Sequence, residues 1–223
     1  RIQQPILKAT GAREISHVQG IQPLWNNYGM LSRVFLKGGG YDSVIVKHIQ
    51  IPDHSSHPRG FGGDLSRSRK IRSYEVETHW YQEINEELPD SVVTPRCLAS
   101  FRDGGELFLL LEDLNPLGFT EVLSAVTMEE LAVVLRWLAG FHAHFLGHSG
   151  EGLWPTGTYW HLETRPAELE RIAGTELHRW AGTLDGRLRG DRFPTLVHGD
   201  AKLANFLFQR DRRSVAAVDF QYV

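Results

Sequence analysis

Apolar and polar positions along the chain change period several times, and each change marks an element. Residues 31–37 and 42–50 are rich in β-branched and apolar side chains, and Gly38-Gly39-Gly40 separates them, which predicts two strands of a hairpin. Side chains alternate along a strand, so Ile45, Lys47 and Ile49 share one face. From 52 to 73 the pattern lapses. Prolines, glycines and serines there, with Arg59, Arg67, Arg69, Lys70 and Arg72, predict a solvated, mobile connection, and a phosphate or acidic-partner contact is the lesser alternative. Over 73–87 the period becomes helical, with Tyr74, Glu77, Tyr81 and Ile84 on one stripe. Val92 to Phe101, the turn Asp103-Gly104-Gly105 and the apolar run Leu107 to Leu111 predict a second hairpin whose last strand is buried.

Glu112-Asp113-Leu114-Asn115-Pro116 breaks that pattern and predicts a hinge, because strand-rich sequence gives way to helix-rich sequence here. Thr127-Met-Glu-Glu130 is a capping box opening a helix to about His148, with Leu131, Leu135, Leu138, Phe141, His142 and Phe145 inward. Pro166 starts another helix to about Leu184, with Gly174 as a weak point. Short strands are predicted at 196–198, 205–208 and 215–218. The order predicts an α+β, two-lobed plan divided as 1–113 and 114–223.

Two side chains sit awkwardly in these patterns. Lys47 lies among isoleucines, either as an edge lysine with its stem on apolar surface or as a buried cation. Glu77 lies within an apolar stripe, where a lone charge is costly. Pairing the two resolves both.

Composition narrows the function classes. The 223 residues carry a formal net charge of -3, with 41% hydrophobic and 23% charged residues, an ordinary globular balance. Mild acidity argues against a general nucleic-acid binder. No apolar run approaches the roughly 18–20 residues of a membrane span. Cys97 is the sole cysteine, so no internal disulfide framework exists, and a reducing, cytoplasmic compartment is the expectation. The chain starts with Arg1 rather than Met, and a fragment or trimmed chain is expected.

The densest chemistry lies near the end: His198, Gly199, Asp200, Lys202 and Asn205, followed by Asp219-Phe220-Gln221. A base, a cation and two oxygen ligands in this register suit phosphoryl transfer. Asp200 is positioned to accept a hydroxyl proton, Lys202 to neutralise the phosphoryl group, and Asn205 and Asp219 to hold magnesium against nucleotide phosphates. His144 and His148 are spaced for a metal, but no further ligand type completes a set nearby, and packed or exposed histidines are the simpler reading.

With these residues in view, the chain resembles the kinase-like small-molecule phosphotransferases: aminoglycoside phosphotransferases, choline kinases and ecdysteroid-kinase-like enzymes. His198-Gly199-Asp200 through Asn205 matches the catalytic loop, and Val218-Asp219-Phe220-Gln221 matches the metal-binding motif with Gln in third place. Val44-Ile45-Val46-Lys47 matches the strand lysine, and Tyr74-Glu-Val-Glu77 the helix glutamate. Leu110 to Leu114 is similar to the hinge, and Leu138 to Ala143 to a helical Leu-Ala-x-x-His-Ala signature.

The resemblance implies a protein-kinase-like fold, with an antiparallel-sheet N-lobe that binds nucleotide and a mainly helical, here truncated, C-lobe. It also implies ATP and Mg2+ as cofactors and a small-molecule hydroxyl as acceptor. Carried over, Lys47 contacts the α- and β-phosphates and pairs with Glu77; Leu111, Glu112 and Asp113 offer backbone to adenine; His198 orients the loop. The glycine-rich nucleotide loop is replaced by Asn26-Asn27-Tyr28-Gly29-Met30-Leu31-Ser32, which leaves Gly29 and the Ser32 hydroxyl as phosphate candidates. A catalytically inactive nucleotide-binding pseudokinase and a protein kinase are the alternatives. A choline-like acceptor would call for an aromatic cage, for which Trp154, Tyr159 and Trp160 are candidates.

Overall fold

Strand alternation builds the first half. The computed structural model describes residues 2–51, 64–158, 161–164, 166–190 and 192–223. Strands β1 (Glu14–Pro23), β2 (Gly29–Lys37), β3 (Ser43–Ile49), β4 (Cys97–Asp103) and β5 (Glu106–Glu112) form one antiparallel sheet in the order β1-β2-β3-β5-β4. Val34, Leu36, Val44, Val46, Phe108 and Leu110 point to one face, where they bury Ile6 of helix α1 (Gln3–Thr10). The alternate positions Ile45, Leu109 and Leu111 point to the other face and join a second core. Lys47 falls on that second face, as the alternation predicts.

The pattern did not reveal β1 or α1. In β1 nine of the ten residues are exposed, so no inward-outward alternation exists to be read. It is an edge strand held by its ladder to β2.

Helix α2 spans Asp64–His79, which corrects the expected connection over its second half; residues 52–63 lie outside the described residues. The helix has little apolar periodicity because its inward face meets a polar cleft as well as the core. Tyr74, Glu77, Tyr81 and Ile84 are all buried on the predicted stripe. A wide turn over Trp80–Ile84 and a short tight one over Asn85–Glu87 end it. The strand expected from Val92 begins only at Cys97.

In the second half the capping box forms as predicted. Thr127 Oγ1 accepts from the Glu130 N–H at 3.2 Å, and the Glu130 carboxylate accepts from the Thr127 N–H at 2.7 Å. Helix α3 runs Met128–His144. Its buried stripe is Val133, Val134, Trp137 and Phe141, whereas Leu135 is 54% exposed, so the inward face is rotated from the predicted one. Gly174, at φ +83°, splits the next predicted helix into α4 (Pro166–Arg171) and α5 (Glu176–Arg189). Strands β6 (Phe119–Glu121), β7 (Phe206–Gln209) and β8 (Val215–Ala217) make a small sheet in that order. Residues 196–198, expected as a short strand, join neither sheet among the described residues.

One aromatic cluster connects the two halves. Phe220 stacks on Trp80 with ring centroids 4.6 Å apart, and Trp137, Phe141 and Phe145 close around them. This packing fixes the backbone on either side of Phe220, which is where the polar cluster sits. No described helix is long and apolar enough to cross a membrane.

Candidate active site

Between the second face of the large sheet, α2 and the loops around β7 and β8 lies a cleft of about 860 Å³. Lys47, Glu77, Asp200, Lys202, Asn205 and Asp219 all line it, as do Leu111, Glu112 and Asp113. Residues scattered over the whole sequence thus meet in one space.

Lys47 stands at its centre. Its ammonium donates to both Glu77 carboxylate oxygens, at 2.8 and 2.7 Å, and to Asp219 Oδ1 at 3.1 Å. Burial opposes the charge on Lys47, but Asp219 and Glu77 outweigh it and hold the ammonium above its ordinary range. Burial pushes Glu77 up, with Lys47 opposing. Burial likewise works against the Asp219 carboxylate, yet Lys47 holds it down to about 2.

The loop His198-Gly199-Asp200 is held by specific backbone contacts. Buried His198 places Nε2 3.0 Å from the Val218 carbonyl, while the Asp200 N–H approaches Nδ1 at 3.4 Å. The imidazole therefore connects the loop to the strand end that carries Asp219. Burial lowers its pKa, favouring the neutral ring that this donor–acceptor arrangement requires. Gly199 has φ +77°, and a Cβ there would lie 1.9 Å from the Tyr222 carbonyl oxygen. No side chain fits at this position.

Asn205 donates its side-chain N–H groups to the Asp200 backbone oxygen at 2.9 Å and to Asp200 Oδ2 at 3.1 Å. Among the described residues no donor takes its side-chain oxygen. The Val218 N–H donates to the Asn205 carbonyl at 3.0 Å, which sets the Asn205 and Asp219 segments side by side. Asp219 itself adopts φ +71°, a left-handed conformation costing a non-glycine residue about 1–3 kcal/mol, so the surroundings impose it. Lys202 pairs with Asp200 Oδ2 at 2.5 Å and is more than half exposed.

The hinge side chains are occupied. Asp113 is buried and accepts from Arg33 Nε at 2.7 Å and Ser43 Oγ at 2.6 Å. Glu112 pairs with Arg96 at 2.9 Å. Only the backbone and Leu111 remain to face a planar ring.

Gly29 and Ser32 do not line the cleft. Ser32 alternates with Leu31 and Arg33, which do, so its hydroxyl points from the opposite face. Gly29 is required for a different reason: at φ +136° a Cβ would come within 1.9 Å of the His48 carbonyl oxygen across the hairpin. Leu24, Trp25 and Leu31 line the cleft from this end instead.

Sequence reasoning gave Gln221 no role of its own and left Lys70 as a lesser candidate for a phosphate contact in an expected loop. Lys70 on α2 lines the cleft, and its ammonium donates to Gln221 Oε1; Gln221 Nε2 donates to Asp219 Oδ1 at 2.5 Å. Burial pulls Lys70 down to about 8, and neighbouring Lys47 adds to this. The signal was spacing: Lys70 lies seven residues before Glu77, on the same helix face. Trp154 of the suggested cage instead donates its indole N–H to the Gln221 carbonyl at 2.8 Å; Tyr159 and Trp160 lie outside the described residues.

A solved structure of the bifunctional kinase-methyltransferase WbdD is similar at 15% identity with a TM-score of 0.45, covering 94% of this chain and 34% of that one. Monomeric WbdD matches at 15% identity and TM-score 0.45, over 94% of this chain and 37% of that one. The chain thus spans about a third of the length of these structures. A search of curated proteins finds no match. The model of the phosphotransferase enzyme family matches residues 29–223, which include Lys47, Lys70, Glu77, Asp200, Lys202, Asn205 and Asp219 of the cleft. The chain belongs to the phosphotransferase enzyme family, and its architecture is α+β, an antiparallel sheet followed by helices and a second small sheet.

Proposed function

We propose that this phosphotransferase moves the γ-phosphate of ATP to a hydroxyl group of a small molecule. The observation that carries the reading is convergence: Lys47, the Asp200–Asn205 loop and Asp219 come from three separate segments and face one cleft. Residues 1–113 would then hold the nucleotide, and 114–223 would supply the catalytic loop.

The donor set fits a magnesium ion. Asn205 offers an uncommitted side-chain oxygen beside the Asp219 carboxylate, and hard oxygen ligands suit this cation. Asn205 and Asp219 would hold the ion, which would neutralise charge on the nucleotide phosphates. Lys47 adds a fixed cation, and its pairing with Glu77 keeps the ammonium from swinging. Asp200 aligns the acceptor hydroxyl and takes its proton; Asn205 orients the Asp200 carboxylate, and Lys202 balances charge beside it. Adenine would lie against Leu111 and the hinge backbone.

A small acceptor is supported by Gly199. The clash with the Tyr222 carbonyl leaves no room for the arginine that protein kinases usually carry at this place in the loop.

The test is ADP release in the presence of magnesium, over a panel of amino alcohols, aminoglycosides and steroid alcohols. The reading expects at least one acceptor to raise ADP release, and Asp200→Asn to remove that rise by about 100-fold or more. Acceptor-dependent turnover that survives Asp200→Asn would overturn the assignment.

A further inference from the structure

The cations around the cleft are not equally provided for. Lys47 has Glu77 and Asp219, Lys202 has Asp200, and Arg33 has Asp113. Lys70 has no carboxylate among the described residues. Its ammonium donates to the neutral amide oxygen of Gln221, an acceptor it shares with the Ser73 hydroxyl at 3.2 Å. A largely buried ammonium with only a neutral partner is electrostatically under-compensated.

The geometry nevertheless holds that ammonium in place. It lies 4.8 Å from the Tyr74 ring centroid and 5.9 Å from that of Tyr222. These contacts limit its freedom without neutralising it. Gln221 clamps the group from one end, and its other amide end is fixed on Asp219. Lys70 is also close enough to both Lys47 and Lys202 to feel their charge. Through Gln221 it is linked to Asp219, which Lys47 also contacts, and Lys202 lines the same cleft.

We propose that Lys70 is a second phosphate-binding cation, directed at the terminal phosphate of the nucleotide and held ready for it by Gln221. This rests on the ATP reading given above. The incoming polyphosphate supplies the anion that the protein withholds. Placing a neutral glutamine after Asp219-Phe220 keeps Lys70 available, where a carboxylate would quench it.

The experiment is equilibrium binding of ATP, ADP, AMP and adenosine, with magnesium, to the full chain and to Lys70→Met and Lys70→Arg, with melting temperatures of the ligand-free proteins. Lys70→Met should weaken ATP about tenfold or more, because a hydrogen bond from a charged group is lost. ADP should lose less, and adenosine should change less than about twofold, within the scatter expected of an untouched site. Lys70→Arg should restore most of the ATP affinity. The melting temperature of ligand-free Lys70→Met should be no lower than that of the parent. Equal losses for adenosine and ATP, no loss for ATP, or a variant that melts lower or fails to fold would each mark Lys70 as structural and overturn the proposal. If the parent binds ATP and only the Lys70 effects fail, the ATP reading stands without this residue. A parent that does not bind ATP overturns both.

Discussion

Lys47 Nζ lies 3.1 Å from Asp219 Oδ1, although 172 positions separate the two residues. One belongs to a central strand of the large sheet, the other to the segment after the small sheet. Next to this contact Phe220 stacks on Trp80, which packs the neighbouring backbone of Asp219 against the turn that ends α2. The site is therefore built by the same packing that joins the two halves of the chain.

Its buried pairing gives Lys47 a structural role beside the phosphate-binding role proposed above. Lys47→Met leaves Glu77 buried and facing Asp219 without a cation, and removing one partner of a buried pair costs about 3–5 kcal/mol. Urea denaturation should show a loss of that size. The double variant Lys47→Met/Glu77→Leu should recover most of it while nucleotide binding remains impaired. A double variant no more stable than the single one would contradict the assignment of the loss to an unpaired Glu77.

Two glycines with similar backbone angles should respond differently to alanine. Gly199 and Gly11 have φ +77° and +66°, but a Cβ at 199 meets the Tyr222 carbonyl, whereas one at 11 meets nothing within 4 Å. Gly11→Ala should cost about 1–2 kcal/mol from backbone conformation alone. Gly199→Ala should cost more and should also displace the catalytic loop, lowering turnover. Equal melting temperatures for the two variants would show that Tyr222 moves aside freely.

Lys70 predicts a pH dependence with a definite sign. Its folded-state pKa of about 8 lies below the ordinary 10.5, so the folded protein releases this proton before the unfolded chain does. Stability from this group therefore rises as pH increases from about 8 to 10.5. The melting-temperature gain of Lys70→Met over the parent should be largest below pH 8 and shrink above it. Phosphate binding needs the charged ammonium, so ATP affinity in the parent should fall as pH rises past about 8, and Lys70→Arg should lack that fall. A parallel fall in Lys70→Arg would assign the effect to another group.

The sequence was informative where burial imposed a pattern or where chemistry demanded fixed spacing. Strands β2, β3 and β5 showed themselves through apolar runs, and the Thr127–Glu130 box opened α3 where expected. The awkward placement of Lys47 and Glu77 pointed to their pairing before any coordinates, because each charge needed the other. Strand β1 was silent because both of its faces are exposed, and α1 because it is short with two buried residues. The first part of α2 read as loop because its cleft-facing side chains are polar for the sake of the site, which erased the helical period there. In that same stretch Lys70 was legible only as one of several loop cations, with a phosphate contact as the lesser alternative. Ser32 and Gly29 were misplaced by a loop resemblance: strand alternation sends one hydroxyl away from the cleft, and the glycine serves a close backbone crossing.

Magnesium-dependent ATP binding tests the central claim most directly. Titration calorimetry on the parent should show ATP binding that weakens by about tenfold or more when magnesium is chelated, as expected when a divalent counter-ion is lost. Asp219→Ala should bind ATP weakly with or without magnesium. An ATP affinity indifferent both to chelation and to Asp219→Ala would contradict the assignment of this cleft as a metal-assisted phosphoryl-transfer site.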